Sequence, residues 1–152
     1  MRARHNNRIP RISIIRGELD YASTLNIEAW RALFQAKIIF HSGCSAEVAH
    51  WLTDFAKAAE IVDLGLGFDR MGPHQPYFHR TMATDIVFDA YLQGEVVLVE
   101  PEKSGVTTLI TAFIMETADM MGVPVRIIPA SLPSTSVPTD SRSNDRQDRG
   151  RF

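Results

Sequence analysis

The sequence predicts an α/β fold: a three-layer, Rossmann-like sandwich whose parallel sheet of about five strands has helices on both faces. Short apolar runs alternate along the chain with segments of helical period. Turns of glycine and small polar residues follow several of these runs, as at Gly17, Ser42-Gly43 and Gly65. The 152 residues are 45% apolar, which suits one domain with a hydrophobic core.

Three strands and two helices are predicted in the first half of the chain. Residues 11–17 predict a strand that ends in a glycine turn, and residues 36–41 predict a strand buried on both faces. Between them, apolar residues at helical spacing predict a helix: Ala22, Leu25, Ala29 and Leu33. Ser45 is predicted to cap a second, amphipathic helix, and a third strand is predicted at 61–65.

The second half predicts two more helices and two more strands. A helix at 77–93 ends at Gly94, and a strand at 95–99 follows at once. The next helix, 106–121, is apolar nearly all round, so we expect it to be sandwiched in the fold or packed against another subunit. The last strand is predicted at 123–129.

Charge and composition divide the chain into three parts. Residues 1–10 are predicted to be a disordered basic arm, residues 11–130 a Rossmann-like domain, and residues 131–152 a disordered polar tail. Formal charges of +4 for residues 1–11, −7 for 12–130 and +1 for 131–152 sum to the net charge of −2. An acidic body is a poor surface for long double-stranded nucleic acid.

Several classes of site and location are disfavoured by the composition. Cys44 is the single cysteine, which excludes an internal disulfide and a multi-thiolate zinc site, and the histidines show no metal-ligand spacing. No apolar run approaches the roughly 20 residues that span a bilayer, and no signal peptide is recognisable. We predict a cytoplasmic protein with no membrane contact, no metal and no cofactor.

The turn after the strand at 95–99 has the chemistry of an anion site. Free N–H groups at a helix start, hydroxyls and a close glycine backbone all favour a bound phosphate. The residues predicted to contact it are Lys103, Ser104, Gly105, Thr107 and Thr108. Simple capping of the following helix by the hydroxyls is the alternative, and the sequence leaves both interpretations open.

In parallel sheets ligands bind beyond the carboxyl ends of the strands, so further contacts are expected there. The candidates are Arg16, Gly17, Gly43, Ser45, Arg80 and Glu100. Glu100 is the catalytic candidate, because it could act as a base or bind a ribose hydroxyl. The alternatives are a surface ion pair for Arg16, a helix-surface position for Arg80, and an exposed turn acid for Glu100. Whether the protein is an enzyme is left open.

Three stretches of the sequence resemble the Rossmann-like SLOG group, which joins DNA-processing protein A to the lonely-guy type nucleotide hydrolases. Residues 42–50 are similar to a Ser-Gly turn and Ala-His helix of the DNA-processing family, and residues 64–73 to its Gly-x-Gly-Leu-Asp loop. Residues 97–112 resemble its apolar strand, Ser-Gly turn and Leu-Ile-Thr-Ala helix. The likeness spans roughly residues 36–129 and implies the fold and a nucleotide-type pocket.

The sequence also departs from this group. The turn at Ser42 lacks the family's arginine and Gly-Ile-Asp, and the lonely-guy Gly-Gly-x-Gly-Thr signature with its catalytic glutamate is absent. The resemblance therefore implies binding of a ligand without implying turnover.

Three functions follow as hypotheses. The first is a domain that binds a nucleotide or nucleotide-derived small molecule through the turns at 42–47 and 103–108. The second is a single-stranded DNA binding protein of the DNA-processing type, in which the basic arm, Arg70, Arg80 and Lys103 hold the backbone. The third is an interaction module that forms a homodimer through helix 106–121.

Overall fold

Strands and helices alternate along the computed structural model, which confirms the predicted fold class. The structure describes residues 9–17, 19, 25–41, 44–56, 58–64, 75–100 and 105–131. Within these ranges the elements are β1 Arg11–Arg16, α1 Ile27–Gln35, β2 Ile38–His41, α2 Ala46–Phe55, β3 Glu60–Asp63, α3 Gln75–Gln93, β4 Glu95–Glu100, α4 Gly105–Met121 and β5 Val125–Pro129.

The five strands form one parallel sheet in the order β3-β2-β4-β1-β5. Helices α1 and α2 pack on one face of the sheet, and α3 and α4 pack on the other. The adjacent strands β1 and β4 therefore send their following helices to opposite faces. Such a switch in connection opens a crevice at the carboxyl edge, where open α/β sheets bind ligands.

Alternation along β1 and β4 builds a core on each face of the sheet. Ile14 and Leu98 face α3 and α4, whereas Ile15 and Val97 face α1 and α2, and all four side chains are completely buried. Burial of an aliphatic side chain of this size contributes roughly 1.5–3 kcal/mol. The two faces thus hold the central strands, and with them the carboxyl edge, in fixed register.

Two helices differ from the sequence prediction in extent or burial. Helix α1 starts at Ile27, because the Asn26 side chain accepts a hydrogen bond from the Glu28 N–H at 3.1 Å and caps the helix there. Helix α4 buries one face against the sheet and leaves Met120 exposed on the other, so it is not sandwiched among the described residues of this chain, and the alternative of packing against another subunit stays a prediction. In the described part of the chain, no helix combines the length and apolar character needed to cross a membrane.

Candidate functional site

A buried carboxylate lies at the carboxyl end of β4, beside the switch between β1 and β4. The Glu100 side chain is 3% exposed, and its Oε2 accepts a hydrogen bond from Thr111 Oγ1 of α4 at 2.8 Å. Arg16, its register partner on β1, donates from Nη2 to the same oxygen at 3.4 Å. A carboxylate removed from water needs such partners, because an unpaired buried charge is costly.

The backbone at the end of β1 approaches the end of β4 closely. Gly17 has φ +126°, a conformation that favours glycine, and its N–H donates to the Glu100 carbonyl oxygen at 3.1 Å. A Cβ at Gly17 would lie 3.2 Å from the Cβ of Ala130. Glycine at this position therefore leaves room for Ala130, the residue that follows β5, against the end of β1.

A second polar cluster lies at the carboxyl ends of β2 and β3. His41 is buried, and its Nδ1 lies 3.9 Å from Oδ1 of Asp63, its register partner. No described residue forms a hydrogen bond with this Nδ1. Burial lowers the pKa of His41 more strongly than the Asp63 carboxylate raises it, so the imidazole is neutral at neutral pH.

The start of helix α2 adjoins this second cluster. The Ser45 side chain accepts the Val48 N–H at 3.2 Å, which confirms the predicted cap. Burial, assisted by the charge of Asp63, raises the pKa of the Cys44 thiol to about 11, so the thiol stays protonated. Within the described ranges, no three of the His, Cys, Asp and Glu side chains are grouped to hold a metal.

The structure brings together some of the predicted site residues and separates others. Arg16, Gly17 and Glu100 are in mutual contact, and Ser45 follows β2, the strand adjacent to β4. Arg80 lies in a groove between α3 and α4, with its guanidinium 4.8 Å from the ring centre of Phe113. No described contact joins Arg80 to the Glu100 cluster.

The remaining predicted contacts are at the turn before α4 and the turn before α2. Gly105 is the first residue of α4, and Thr107 and Thr108 belong to its first turn, although their side chains are outside the described part. Gly43, Lys103 and Ser104 lie outside the described residues altogether. Their contacts with a ligand stay predictions.

Sequence reasoning did not include Thr111, His41 or Asp63 among the candidate site residues. His41 and Asp63 are the last residues of neighbouring parallel strands, and the carboxyl ends of such strands meet at one edge. That position was the signal that could have identified them. Together the two clusters give the edge a paired carboxylate, a neutral imidazole and a second carboxylate, groups that accept hydrogen bonds from hydroxyl and amino groups.

Comparison with solved structures finds a methyltransferase of similar fold. The crystal structure of the native form of uroporphyrin III C-methyl transferase from Thermus thermophilus matches with a TM-score of 0.50 and 19% sequence identity. The match covers 80% of this chain and 48% of that one, so this chain spans about half of the neighbour's length. No protein-family model matches the chain, and no curated protein matches its sequence. At this identity the likeness shows the fold alone.

The predicted resemblance to the SLOG group and DNA-processing protein A is wrong, because the likeness found is to a methyltransferase. The physical reason is that Ser-Gly turns between an apolar strand and a helix recur in parallel α/β sheets generally. Short motifs of this kind report the strand–turn–helix unit and do not distinguish one family from another.

Three functional predictions are corrected with it. Nucleotide binding through the turns at 42–47 and 103–108, single-stranded DNA binding of the DNA-processing type, and a non-catalytic module dimerising through helix 106–121 all conflict with the methyltransferase likeness. The comparisons also lend no support to single-stranded DNA or a second copy of the chain as partners.

Proposed function

We propose that this domain binds a small-molecule methyl donor, S-adenosylmethionine, at the carboxyl edge of its sheet. The observation behind the proposal is the buried Glu100 carboxylate at the switch between β1 and β4. The fold likeness to a methyltransferase directs the choice of ligand. Because the match covers 48% of that neighbour, we propose binding of the methyl donor and no identity for the molecule that would receive the methyl group.

Glu100 is the group that would recognise the ribose of the donor. A carboxylate can accept two hydrogen bonds from neighbouring hydroxyls, and such charge-assisted bonds are stronger than neutral ones. The described contacts of Glu100 with Thr111 and Arg16 both use Oε2. These contacts fix the carboxylate before the ligand arrives, and such preorganisation lowers the cost of binding.

The chain around Glu100 would supply the rest of the donor site. Gly17 brings the backbone of β1 within hydrogen-bonding distance of the Glu100 carbonyl and so fixes the strand end beside the Glu100 side chain. Ser45 marks the positive end of helix α2. The predicted contacts in the turn before α4, Lys103 and Ser104, complete the proposed set.

Calorimetric titration of the purified chain tests this function. We expect S-adenosylmethionine and its demethylated product S-adenosylhomocysteine to bind. ATP has the same ribose but should bind more weakly, because its triphosphate would bring negative charge to an edge that already holds the Glu100 and Asp63 carboxylates. Saturation at about 100 times the dissociation constant should also stabilise the fold by about 2.7 kcal/mol. Failure of both adenosyl ligands to bind, or equal affinity for ATP, would contradict the proposal.

A further inference from the structure

The polar groups of the carboxyl edge follow one another across adjacent strands. Glu100 ends β4, His41 ends β2 and Asp63 ends β3, and these three strands are neighbours in the sheet. Neighbouring strands lie about 4.8 Å apart, so the edge from β4 to β3 is about 10 Å wide. This width suits an extended ligand with polar groups at both ends.

The cluster at β2 and β3 has an acceptor that the protein itself does not use. His41 is 4% exposed, and its Nδ1 forms no hydrogen bond with any described residue. The 3.9 Å between Nδ1 and Asp63 Oδ1 is too long for a hydrogen bond. A hydrogen-bond donor of a ligand about 2.9 Å from each of the two atoms fits that separation, and the Asp63 side chain is 48% exposed.

The chemistry of the two groups selects a cationic donor. A buried polar atom without a partner costs free energy, which a ligand hydrogen bond recovers. Burial keeps the imidazole uncharged, so its Nδ1 can accept a hydrogen bond, and the carboxylate beside it adds a negative charge. A primary ammonium group can donate to the imidazole nitrogen and pair with the neighbouring negative charge at the same time.

We infer that His41 and Asp63 bind the ammonium group of an amino-acid end carried by the adenosyl ligand. The inference rests on the proposed donor site, whose ribose contact is Glu100 on the adjacent strand. Glu100 faces α3 and α4, whereas His41 is on the side of α1 and α2, so the ligand would cross the sheet edge between them. The carboxylate of the same amino-acid end suits the positive N-terminus of α2, which Ser45 caps.

A matched pair of ligands isolates this contact. S-adenosylhomocysteine and 5′-methylthioadenosine share the nucleoside and the thioether, and only the former has an amino-acid end. We expect the wild-type chain to prefer S-adenosylhomocysteine by about ten- to a hundredfold in calorimetric titration. Asp63→Asn should remove most of this preference, while its affinity for methylthioadenosine stays unchanged and reports that the variant is folded.

Asp54→Asn is the matched control, because it makes the same substitution at an exposed aspartate of α2. It should keep the full preference. Equal wild-type affinity for the two ligands, or a preference that survives Asp63→Asn, would overturn the ammonium site. Neither result would contradict the proposed S-adenosylmethionine site at Glu100. Binding of neither ligand would instead refute the proposed function itself.

Discussion

Strand β4 has a glutamate at each end, and the two ends contain similar chemistry. At the amino end, Glu95 Oε1 accepts from Arg126 Nη2 of β5 at 3.2 Å. The buried Ser13 hydroxyl accepts from Arg126 Nε at 2.8 Å and joins the same network. At the carboxyl end, Glu100 likewise meets an arginine and a hydroxyl.

The two ends differ in burial and in their place in the topology. The Glu100 side chain is 3% exposed, against 14% for Glu95. The carboxyl edge also contains His41 and Cys44. Burial lowers the pKa of His41 and raises the pKa of Cys44. Similar residues thus form an ion pair at one edge and a candidate ligand site at the other, and the difference comes from the switch in strand connection beside Glu100.

Thiol chemistry should show the largest effect of the carboxyl edge. Because the Cys44 pKa is raised from 9.0 to about 11, its thiolate should be about a hundredfold rarer at neutral pH than in the unfolded chain. The pH profile of alkylation measures this, with the urea-unfolded protein as the control. Asp63→Asn should speed alkylation of the folded chain, because the Asp63 charge contributes to the raised pKa. A midpoint of the alkylation profile near pH 9.0 for the folded chain would contradict the raised pKa of the Cys44 thiol.

Thr111→Val should destabilise the carboxyl end by about 1.5–3 kcal/mol, because it removes a hydroxyl from a buried carboxylate. Urea denaturation measures the change in the free energy of unfolding. Thr53→Val is the matched control, since among the described residues the Thr53 hydroxyl bonds to a carbonyl of its own exposed helix turn. Its effect should be under about 0.5 kcal/mol. Equal losses in the two variants would mean that the Glu100 contact adds nothing to stability.

Ser13→Ala should cost less, about 1 kcal/mol, because Arg126 keeps its direct contact with Glu95 and remains partly solvated. The same denaturation series compares it with Thr111→Val. A loss larger than that of Thr111→Val would reverse the ranking of the two edges.

The smallest effect expected is a pH dependence of stability. The folded pKa of His41 lies below the ordinary value of 6.5, so the unfolded chain binds the proton first as the pH falls. Stability should therefore decrease below pH 6.5, and His79, whose pKa burial also lowers, adds to the decrease. His41→Gln should flatten this dependence, whereas His50→Gln, at an exposed position, should leave it unchanged. An unaltered slope in His41→Gln would contradict the buried, neutral imidazole.

Local features of the fold were predictable because local chemistry determines them. The apolar run before Glu100 predicted β4 to within one residue, and Ser45 predicted the start of α2. The start of α1 was predicted too early, because the apolar spacing continues upstream of Asn26. Leu25, which belongs to that spacing, instead forms a bridge with Ser131.

Contacts between segments that are distant in the chain could not be predicted from the sequence. The contact of His41 with Asp63 depends on β2 and β3 being neighbours, and the strand order follows from long-range packing that hydrophobic periodicity does not specify. In the sequence, nothing distinguishes Thr111 from the other residues of an apolar helix. Its role follows from the fold, which places α4 over the end of β4 and brings the Thr111 hydroxyl to Glu100. The resemblance to the SLOG group was wrong for a related reason. Its motifs report local strand–turn–helix units and do not specify the long-range arrangement that distinguishes one family from another.

The most direct test compares the two glutamates of β4 in ligand binding. Calorimetric titration of S-adenosylhomocysteine into the wild type, Glu100→Gln and Glu95→Gln measures both ends with the same substitution. We predict that Glu100→Gln weakens binding by about ten- to a hundredfold, because a charge-assisted hydrogen bond to the ribose is lost, and that Glu95→Gln leaves it unchanged. Equal affinity of both variants and the wild type would contradict a ligand site at Glu100.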